Sequence, residues 1–363
     1  MTRAFHAPGR VNLIGEHTDY SGGLVLPAAI DRGLTLTGDA ADRIALESDR
    51  YPGAVKLSPD GAGGAGQHWG RYVAAVAAEL DALGRPAVGF AGALSSDLPD
   101  GAGLSSSAAL EVVVATALCA VADFPLGPPD LAAACQRAEH RAVGVPSGIM
   151  DQAASVLGRA DAAVLLDCGT LEHRLVGLPP SLALLVVDSA VQRRLEGSGY
   201  AQRRTELEVG LAALGGRRPV DVAPVEAGAL GGAAGLDDVP LRRLRHVVAE
   251  NRRVEEVEMA LTGPQGADLE ALGRLFAESH ASLRDDFEVS TPELDLLVDL
   301  AVGAGAAAAR MTGGGFGGSV VALVLAEAAT EIGGQVVAAY ARRSGRSATA
   351  YACRASEGAR ELA

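Results

Sequence analysis

One short segment near the N-terminus concentrates side chains that could bind a polar ligand. Residues 9–20 read GRVNLIGEHTDY, so charged and hydrogen-bonding groups crowd between glycines. Such polar groups are costly to bury without partners, and carboxylates accept strong hydrogen bonds from hydroxyl groups. The segment predicts a site for a polyhydroxylated ligand. An ordinary polar turn with an Arg10–Glu16 or Arg10–Asp19 ion pair is the alternative, and metal binding by Glu16, His17 and Asp19 is a third interpretation.

A glycine- and serine-rich segment, residues 99–107 (PDGAGLSSS), separates a predicted strand from an apolar helix. Glycine lets the backbone approach a ligand closely. The first turn of a helix carries unpaired N–H groups at the positive end of its dipole, and the hydroxyls of Ser105–Ser107 could add donors or a magnesium ligand. The pattern is typical of a phosphate site, although the local sequence by itself favours a plain helix cap.

The only lysine of the chain restricts how phosphate could be bound. Lys56 is followed by leucine, so there is no GK[ST] sequence and no Walker-type phosphate loop. If the protein binds ATP, the phosphate charge must be balanced by backbone amides, a helix N-terminus, Mg²⁺ and arginine.

A lone aspartate follows a Gly/Pro turn in the segment PSGIMDQ, residues 146–152. The neighbours of Asp151 are mostly apolar. Considered alone, an aspartate in such a place is more often a helix cap than a catalytic group.

Hydrophobic periodicity and turn residues predict the elements that must position these segments. Strands and hairpins are predicted within 9–37, and further strands over 87–94, 163–167, 182–188 and 319–325. Helices are predicted over 69–83, 108–121, 129–143, 241–261, 267–283 and 292–303, before a last helix and strand within 334–352. Residues 211–240 give the weakest signal. We expect a mixed α/β chain of two domains, residues 1–170 and 171–363.

Composition excludes several classes of protein. The chain has 363 residues, of which 48% are hydrophobic and 21% charged, as in globular proteins with well-buried cores. Its net charge of −14 argues against nucleic acid or an anionic membrane as the main partner. We find no apolar run long enough to cross a bilayer and no signal peptide, and we expect a cytoplasmic enzyme. The four cysteines fit no metal-binding spacing and are predicted to be buried free thiols.

Five segments, in order along the chain, resemble galactokinases and the wider GHMP kinase superfamily. GRVNLIGEHTDYSGG is similar to the galactokinase signature, whereas GAGLSSSAALE and MTGGGFGGS resemble the second and third superfamily motifs. AEHRAVGVPSGIMDQ and SHASLRDDFEVSTPELD are also similar to galactokinase sequences. The resemblance implies an α+β, two-domain GHMP kinase fold. Its N-terminal domain would be related to domain 2 of ribosomal protein S5, its C-terminal domain would be ferredoxin-like, and the site would lie between them.

The resemblance also implies an activity, the Mg·ATP-dependent phosphorylation of the anomeric hydroxyl of α-D-galactose. If the roles known in the family apply to the matching residues, Asp151 would be the general base and Arg10 its electrostatic partner. The sugar hydroxyls would be held by Glu16, His17, Thr18, Asp19 and Tyr200. The assignment of Tyr200 is weaker, because residues 188–195 depart from the family pattern and Gly199 stands where glutamate is common.

For the nucleotide, the resemblance implies that residues 101–107 wrap the triphosphate: Gly101, Ala102, Gly103, Leu104, Ser105, Ser106 and Ser107. Ser107 and Glu139 would hold Mg²⁺. Trp69 and Tyr72 lie where the family uses aromatic residues near adenine, and core packing explains both equally well. We expect structural roles for four other polar residues, Asp100, Glu111, His140 and His280.

Two alternative functions are kept. The chain could phosphorylate N-acetylgalactosamine or another galactose-like sugar, because the sequence does not show how much room lies beside C2. It could also be a galactose- and ATP-binding sensor without turnover, but sensor relatives are altered in the serine-rich loop, which is intact here. We expect a monomer whose partners are galactose and ATP.

Overall fold

The computed structural model describes residues 2–63, 69–99, 101–144, 147–191 and 199–363. Asp100, Pro146 and residues 192–198 therefore lie outside the described residues. The strands are β1 (Arg3–Asn12), β2 (Leu24–Val25), β3 (Pro27–Ala41), β4 (Ile44–Ser48), β5 (Val55–Leu57), β6 (Gly89–Ser96), β7 (Ala162–Asp167), β8 (His173–Gly177), β9 (Leu182–Asp188), β10 (Ala308–Thr312), β11 (Ser319–Leu325), β12 (Thr349–Cys353) and β13 (Arg360–Leu362). The helices are α1 (Gly70–Ala82), α2 (Ser106–Val121), α3 (Pro128–Val143), α4 (Met150–Leu157), α5 (Gly199–Ala212), α6 (Pro224–Ala233), α7 (Asp238–Leu261), α8 (Leu269–Asp285), α9 (Pro292–Gly303) and α10 (Ala329–Ser344).

The predicted mixture of helices and strands is confirmed, and most elements form within two or three residues of their predicted bounds. Strands β9 and β11 cover the predicted residues, because both are short apolar runs bounded by turn residues. Residues 211–240, the weakest part of the prediction, contain helix α6. Pro224 stands at its first turn, where a missing N–H costs nothing, and Ala227 packs in a small cluster with Leu244 of α7.

The N-terminal half is built on a six-stranded sheet with the order β13-β1-β3-β6-β4-β5. Helix α2 packs against β1 and β3 of this sheet and against helices α1 and α3. Most of its residues are apolar and buried, as expected of a helix that packs on several sides. This packing fixes the N-terminus of α2 beside the end of β1.

The edge of this sheet is closed by the end of the chain. Strand β13 pairs with β1, with Ala4 opposite Leu362, and the backbone N–H of Ala359 donates to Ser155 O at 2.8 Å. The last residues thus belong to the sheet of the N-terminal half, although they lie more than 300 residues away in the chain.

The C-terminal half contains a four-stranded antiparallel sheet with the order β10-β11-β9-β12. Helices lie between β9 and β10, and α10 lies between β11 and β12. This order and these connections are those of the split βαβ, or ferredoxin-like, arrangement. The expectation of a ferredoxin-like C-terminal domain is therefore confirmed by the topology.

Two composition-based expectations can be compared with the described residues. Cys119, Cys135 and Cys353 are buried and Cys168 is half-buried, and all four thiols are free. None of the described helices combines the length and apolarity that crossing a bilayer requires.

Deleting residues 358–363 should destabilise the protein although it leaves the candidate site intact. The loss removes the β13 pairing and uncovers the edge of β1, which we expect to cost roughly 2–4 kcal/mol. Urea unfolding measures the change. Arg3→Ala is the control and should have a much smaller effect, because it removes the ion pair with Glu361 and a hydrogen bond to Ala120 O but keeps the β13 strand. An equal loss in both variants would contradict the importance of the strand.

Candidate active site

Arg10 and Asp151 form a two-pronged ion pair at the centre of the candidate site. The Nε and Nη2 atoms of Arg10 donate to Oδ1 and Oδ2 of Asp151 at 2.7 and 2.8 Å. Only 5% of Arg10 is exposed. The alternative pairings of Arg10 with Glu16 or Asp19 are therefore wrong. Asp151 stands in the first turn of α4, after the N-cap position at Ile149, so the helix-cap interpretation is wrong as well.

The serine loop, residues 101–107, lies directly beside this pair. The Nη1 atom of Arg10 donates to Gly103 O at 2.7 Å, and Ser105 Oγ donates to Asp151. Ser105 adopts a left-handed conformation with φ +61° and does not cap helix α2 with its side chain. The plain-cap interpretation of the serines is therefore wrong for Ser105, and the first N–H groups of α2 are free of a side-chain cap there.

Close approach of the backbone holds the serine loop against β1. The N–H of Arg10 donates to Leu104 O at 3.1 Å. A Cβ atom on Gly9 would lie 2.6 Å from that same carbonyl oxygen, so only glycine permits the contact. On the other side, Ser319 Oγ of β11 donates to Ala102 O at 2.6 Å.

Ser107 and Glu139 meet as predicted from the resemblance. Ser107 Oγ donates to Glu139 Oε1 at 3.2 Å, and Glu139 Oε2 accepts from Ser147 Oγ at 2.7 Å and from Gln152 Nε2 at 3.0 Å. Gln152 also donates to the buried Glu111, at 2.9 Å. Burial, and then the neighbouring Glu139, raise the pKa of Glu111 well above its usual range. Glu111 is thus buried and bound by Gln152, in line with its expected structural role.

The polar loop, residues 12–24, enters the same site from the end of β1. Its tight course depends on Gly15 and His17, which both have positive φ angles of +100° and +64°. The Thr18 hydroxyl lies 2.7 Å from both Gly15 O and Leu24 O and closes the loop on itself. The Thr18 side chain therefore shapes the loop, and its contact with a sugar stays a prediction.

Asp19 is the carboxylate of this loop most affected by its surroundings. Burial, and then the nearby carboxylates of Asp151 and Glu16, raise its pKa to about 7. A Cβ atom on Gly148 would lie 1.7 Å from Asp19 Oδ2, so glycine at 148 is what gives this carboxylate its place. The sequence around Gly148 indicates a turn, but it does not indicate that the glycine makes room for Asp19.

Glu16 is held from the C-terminal half. Its Oε1 accepts from Gly313 N at 2.7 Å and from Thr312 Oγ1 at 3.2 Å. Arg310 Nη1 lies 3.5 Å from the same oxygen. Residues 311–319, which resemble the third superfamily motif, thus contact both the polar loop and the serine loop.

Aromatic rings line the site next to the polar loop. The His17 ring lies 4.5 Å from Phe287 and 5.7 Å from Tyr200, measured between ring centroids. Tyr20 lies 5.7 Å from Tyr200 and its hydroxyl is 2.9 Å from His17 Nδ1. Tyr200, on α5, is thereby brought to the site as the resemblance implied. No local pattern in the sequence predicts this place for Phe287, because only the fold brings it to the polar loop.

The remaining predicted residues differ in their surroundings. Trp69 is 5% exposed, packs in the core of the N-terminal half and donates from Nε1 to Pro52 O at 3.4 Å, which favours core packing. Tyr72 is partly buried beside Arg71, and its proximity to adenine stays a prediction. His140 Nε2 accepts from Ser147 N at 2.9 Å, and His280 lies 3.0 Å from Asp295. Both histidines thus have structural partners, as expected.

Family models match three parts of the chain. The model for the GHMP kinases N terminal domain matches residues 71–159, and that for GHMP kinases C terminal matches residues 264–342. The galactokinase galactose-binding signature matches residues 2–39, which include the whole polar loop.

Individual relatives agree with these matches. A galactokinase of Roseiflexus sp. (strain RS-1) is 43% identical over 364 residues, covering 97% of this chain and 91% of the relative. The crystal structure of Lactococcus lactis galactokinase complexed with galactose superposes with a TM-score of 0.93 at 32% identity, over 99% of this chain and 95% of that one. The structure of L. major mevalonate kinase in complex with R-mevalonate shares the fold, with a TM-score of 0.67 at 19% identity over 97% and 95% of the two chains. The chain belongs to the galactokinases, within the GHMP kinase family.

Proposed function

We propose that this chain transfers the γ-phosphoryl group of ATP to the anomeric hydroxyl of α-D-galactose in a Mg²⁺-dependent reaction. The observation that carries the proposal is the Arg10–Asp151 pair, which lies between the polar loop and the serine loop and contacts the latter through Gly103 and Ser105. A base placed where a sugar site meets a phosphate site is the arrangement that an in-line phosphoryl transfer needs.

In the proposed step, the anomeric oxygen forms a bond to the γ-phosphorus while the bond from that phosphorus to the β–γ bridging oxygen breaks. ADP leaves, and the hydroxyl proton passes to the carboxylate of Asp151. The transition state is loose, so catalysis depends more on position and charge than on covalent chemistry. The fixed guanidinium of Arg10 supplies positive charge where negative charge develops.

The donor set fits a magnesium ion that arrives with the nucleotide. Mg²⁺ is usually held by one or two carboxylates together with substrate phosphates, and the Ser107 hydroxyl and Glu139 carboxylate offer two oxygen ligands beside the N-terminus of α2. The described residues contain no group of three or more His, Cys, Asp or Glu that could hold a metal, so Glu16, His17 and Asp19 form no such site there. Bound magnesium would neutralise phosphate charge, a task for which the chain has no Walker lysine.

Sugar recognition is assigned to the polar loop and its aromatic neighbours. Asp19 and Glu16 would accept hydrogen bonds from hydroxyl groups, with His17 and Tyr200 beside them. The proposal is supported by the match of this region to the galactose-binding signature. The cytoplasmic location and the monomeric state remain predictions.

Coupled ADP release measured with galactose, N-acetylgalactosamine, glucose and mevalonate tests this function. We expect turnover with galactose, dependent on Mg²⁺, and a loss of about 10²–10⁴-fold in kcat for Asp151→Asn, because the amide cannot accept the proton. Galactose binding by that variant, measured by calorimetry, should persist. Near-normal kcat in Asp151→Asn would show that another group is the base.

The same assay separates the alternative functions. Turnover with N-acetylgalactosamine in preference to galactose would favour the alternative substrate, and binding without turnover would favour a sensor.

Arg10→Lys should lower kcat/KM by about a hundredfold or more, because a lysine ammonium cannot reproduce the planar two-pronged contact. Steady-state kinetics measures the change. Arg3→Lys is a matched control, since Arg3 makes the same kind of contact with Glu361, at 2.7 and 2.8 Å, on the surface. Its kinetics should be unchanged. Wild-type kinetics in Arg10→Lys would mean that the guanidinium geometry is not needed.

Asp19→Asn should stabilise the free enzyme at high pH while weakening galactose binding. The pKa of Asp19 is about 7 in the folded state against 3.8 as its ordinary value. The folded state therefore binds more protons between pH 4 and 7, and wild-type stability falls as the pH rises through that window. Asp19→Asn lacks this loss, so above pH 7 its free energy of unfolding should exceed that of the wild type by about 2 kcal/mol, allowing for solvent screening.

Urea unfolding of both proteins at pH 5 and pH 8 checks this difference, with the exposed Asp42→Asn as the control substitution. A stability difference between Asp19→Asn and wild type that does not grow from pH 5 to pH 8 would contradict the raised pKa.

A further inference from the structure

The polar loop is attached to one face of helix α7 in the C-terminal half. The N–H of Gly15 donates to Glu250 Oε1 at 3.1 Å. His246 Nε2 lies 3.1 Å from Glu16 O, and the N–H of Leu24 donates to Asn251 Oδ1 at 2.6 Å. Three points along the loop are thus bound by side chains from adjacent turns of a single helix.

A buried arginine connects this attachment to the carboxylate of Glu16. Arg310 on β10 is 0% exposed and donates from Nη1 to Leu13 O at 3.0 Å. Nη1 also lies 3.5 Å from Glu16 Oε1, and Nη2 lies 3.8 Å from Glu250 Oε1. Among the described residues, its Nε and Nη2 atoms have no hydrogen-bond partner. Its guanidinium therefore acts mainly through its charge, because it lies between the carboxylates of Glu16 and Glu250.

Glu250 is equally enclosed and stays ionised. It is 0% exposed and accepts from Ser279 Oγ at 2.7 Å and from Arg253 Nε at 2.8 Å. Burial alone would raise its pKa, but Arg253, and then His246 and Arg310, bring the pKa down to about 2. A negative charge is thus kept beneath the polar loop at every pH at which the enzyme would work.

Stability alone does not account for these buried charges. Apolar residues of similar volume often stabilise a protein core to the same extent as a buried ion network. What the charges provide is a fixed place for the loop and for Glu16. We propose that Glu250 and Arg310 are positioning residues for galactose binding, acting through the backbone of the polar loop and the Glu16 carboxylate. This inference rests on the proposed function in taking Glu16 as a sugar ligand.

Glu250→Gln tests the proposal, because it keeps the shape of the side chain and an acceptor for Gly15 but removes the charge opposite Arg310. We expect the KM for galactose, and its Kd by calorimetry, to rise about tenfold, while the KM for ATP changes less than twofold. Arg85→Gln is the matched control. It removes a buried charge of the N-terminal half that is bound to Pro59 O, Pro86 O and Val88 O and does not touch the loop.

A merely structural role would lower the melting temperature of Glu250→Gln and Arg85→Gln alike without the selective change in galactose KM, and that result would overturn the proposal. If Glu250→Gln does not fold, Ser279→Ala decides, since it removes one hydrogen bond to the same oxygen and should raise galactose KM about threefold. Unchanged galactose KM in Ser279→Ala would then overturn the proposal. Wild-type enzyme that neither binds nor phosphorylates galactose would overturn the proposed function itself, and this inference with it.

Discussion

The pairing of Arg10 with Asp151 is the constraint on which the rest of the site depends. A buried arginine must have its charge balanced and its donors satisfied, and here one carboxylate and one carbonyl oxygen do both. That requirement brings together the end of β1, the start of α4 and the serine loop. The proposed base, its cationic partner and the backbone proposed to bind phosphate are thereby positioned by a single set of contacts.

The site concentrates negative charge in a chain that is already strongly acidic. Glu16, Asp19 and Asp151 lie close enough to influence one another, and the raised pKa of Asp19 is the result. Such an arrangement costs stability, which is common where function needs a particular group in an unfavourable place. Arginines limit the cost, because Arg10 and Arg310 each lie beside one of the other two carboxylates.

The site also requires both halves of the chain. The residues after β10 contact Glu16, and β11 contacts the serine loop through Ser319. Helix α7 contributes further contacts to the polar loop from beneath. The proposed sugar site is thus held by elements that lie far apart in the chain, an arrangement that suits phosphoryl transfer by positioning.

The sequence by itself determined the local features. The apolar runs of β9 and β11, the buried helix α2, the glycine- and serine-rich turn before α2 and the residue types of the polar loop could be predicted, because periodicity, turn residues and spacing act over a few neighbours. The family resemblance added the roles proposed for Asp151, Ser107 and Glu139. The resemblance also implied that Arg10 is the partner of Asp151, a choice that the residues themselves left open. Only the tertiary structure decided that Gly148 makes room for Asp19 and that β13 closes the first sheet. These depend on contacts between residues more than a hundred positions apart, and neither side-chain type nor local pattern determines which distant group completes a buried ion pair or a sheet edge.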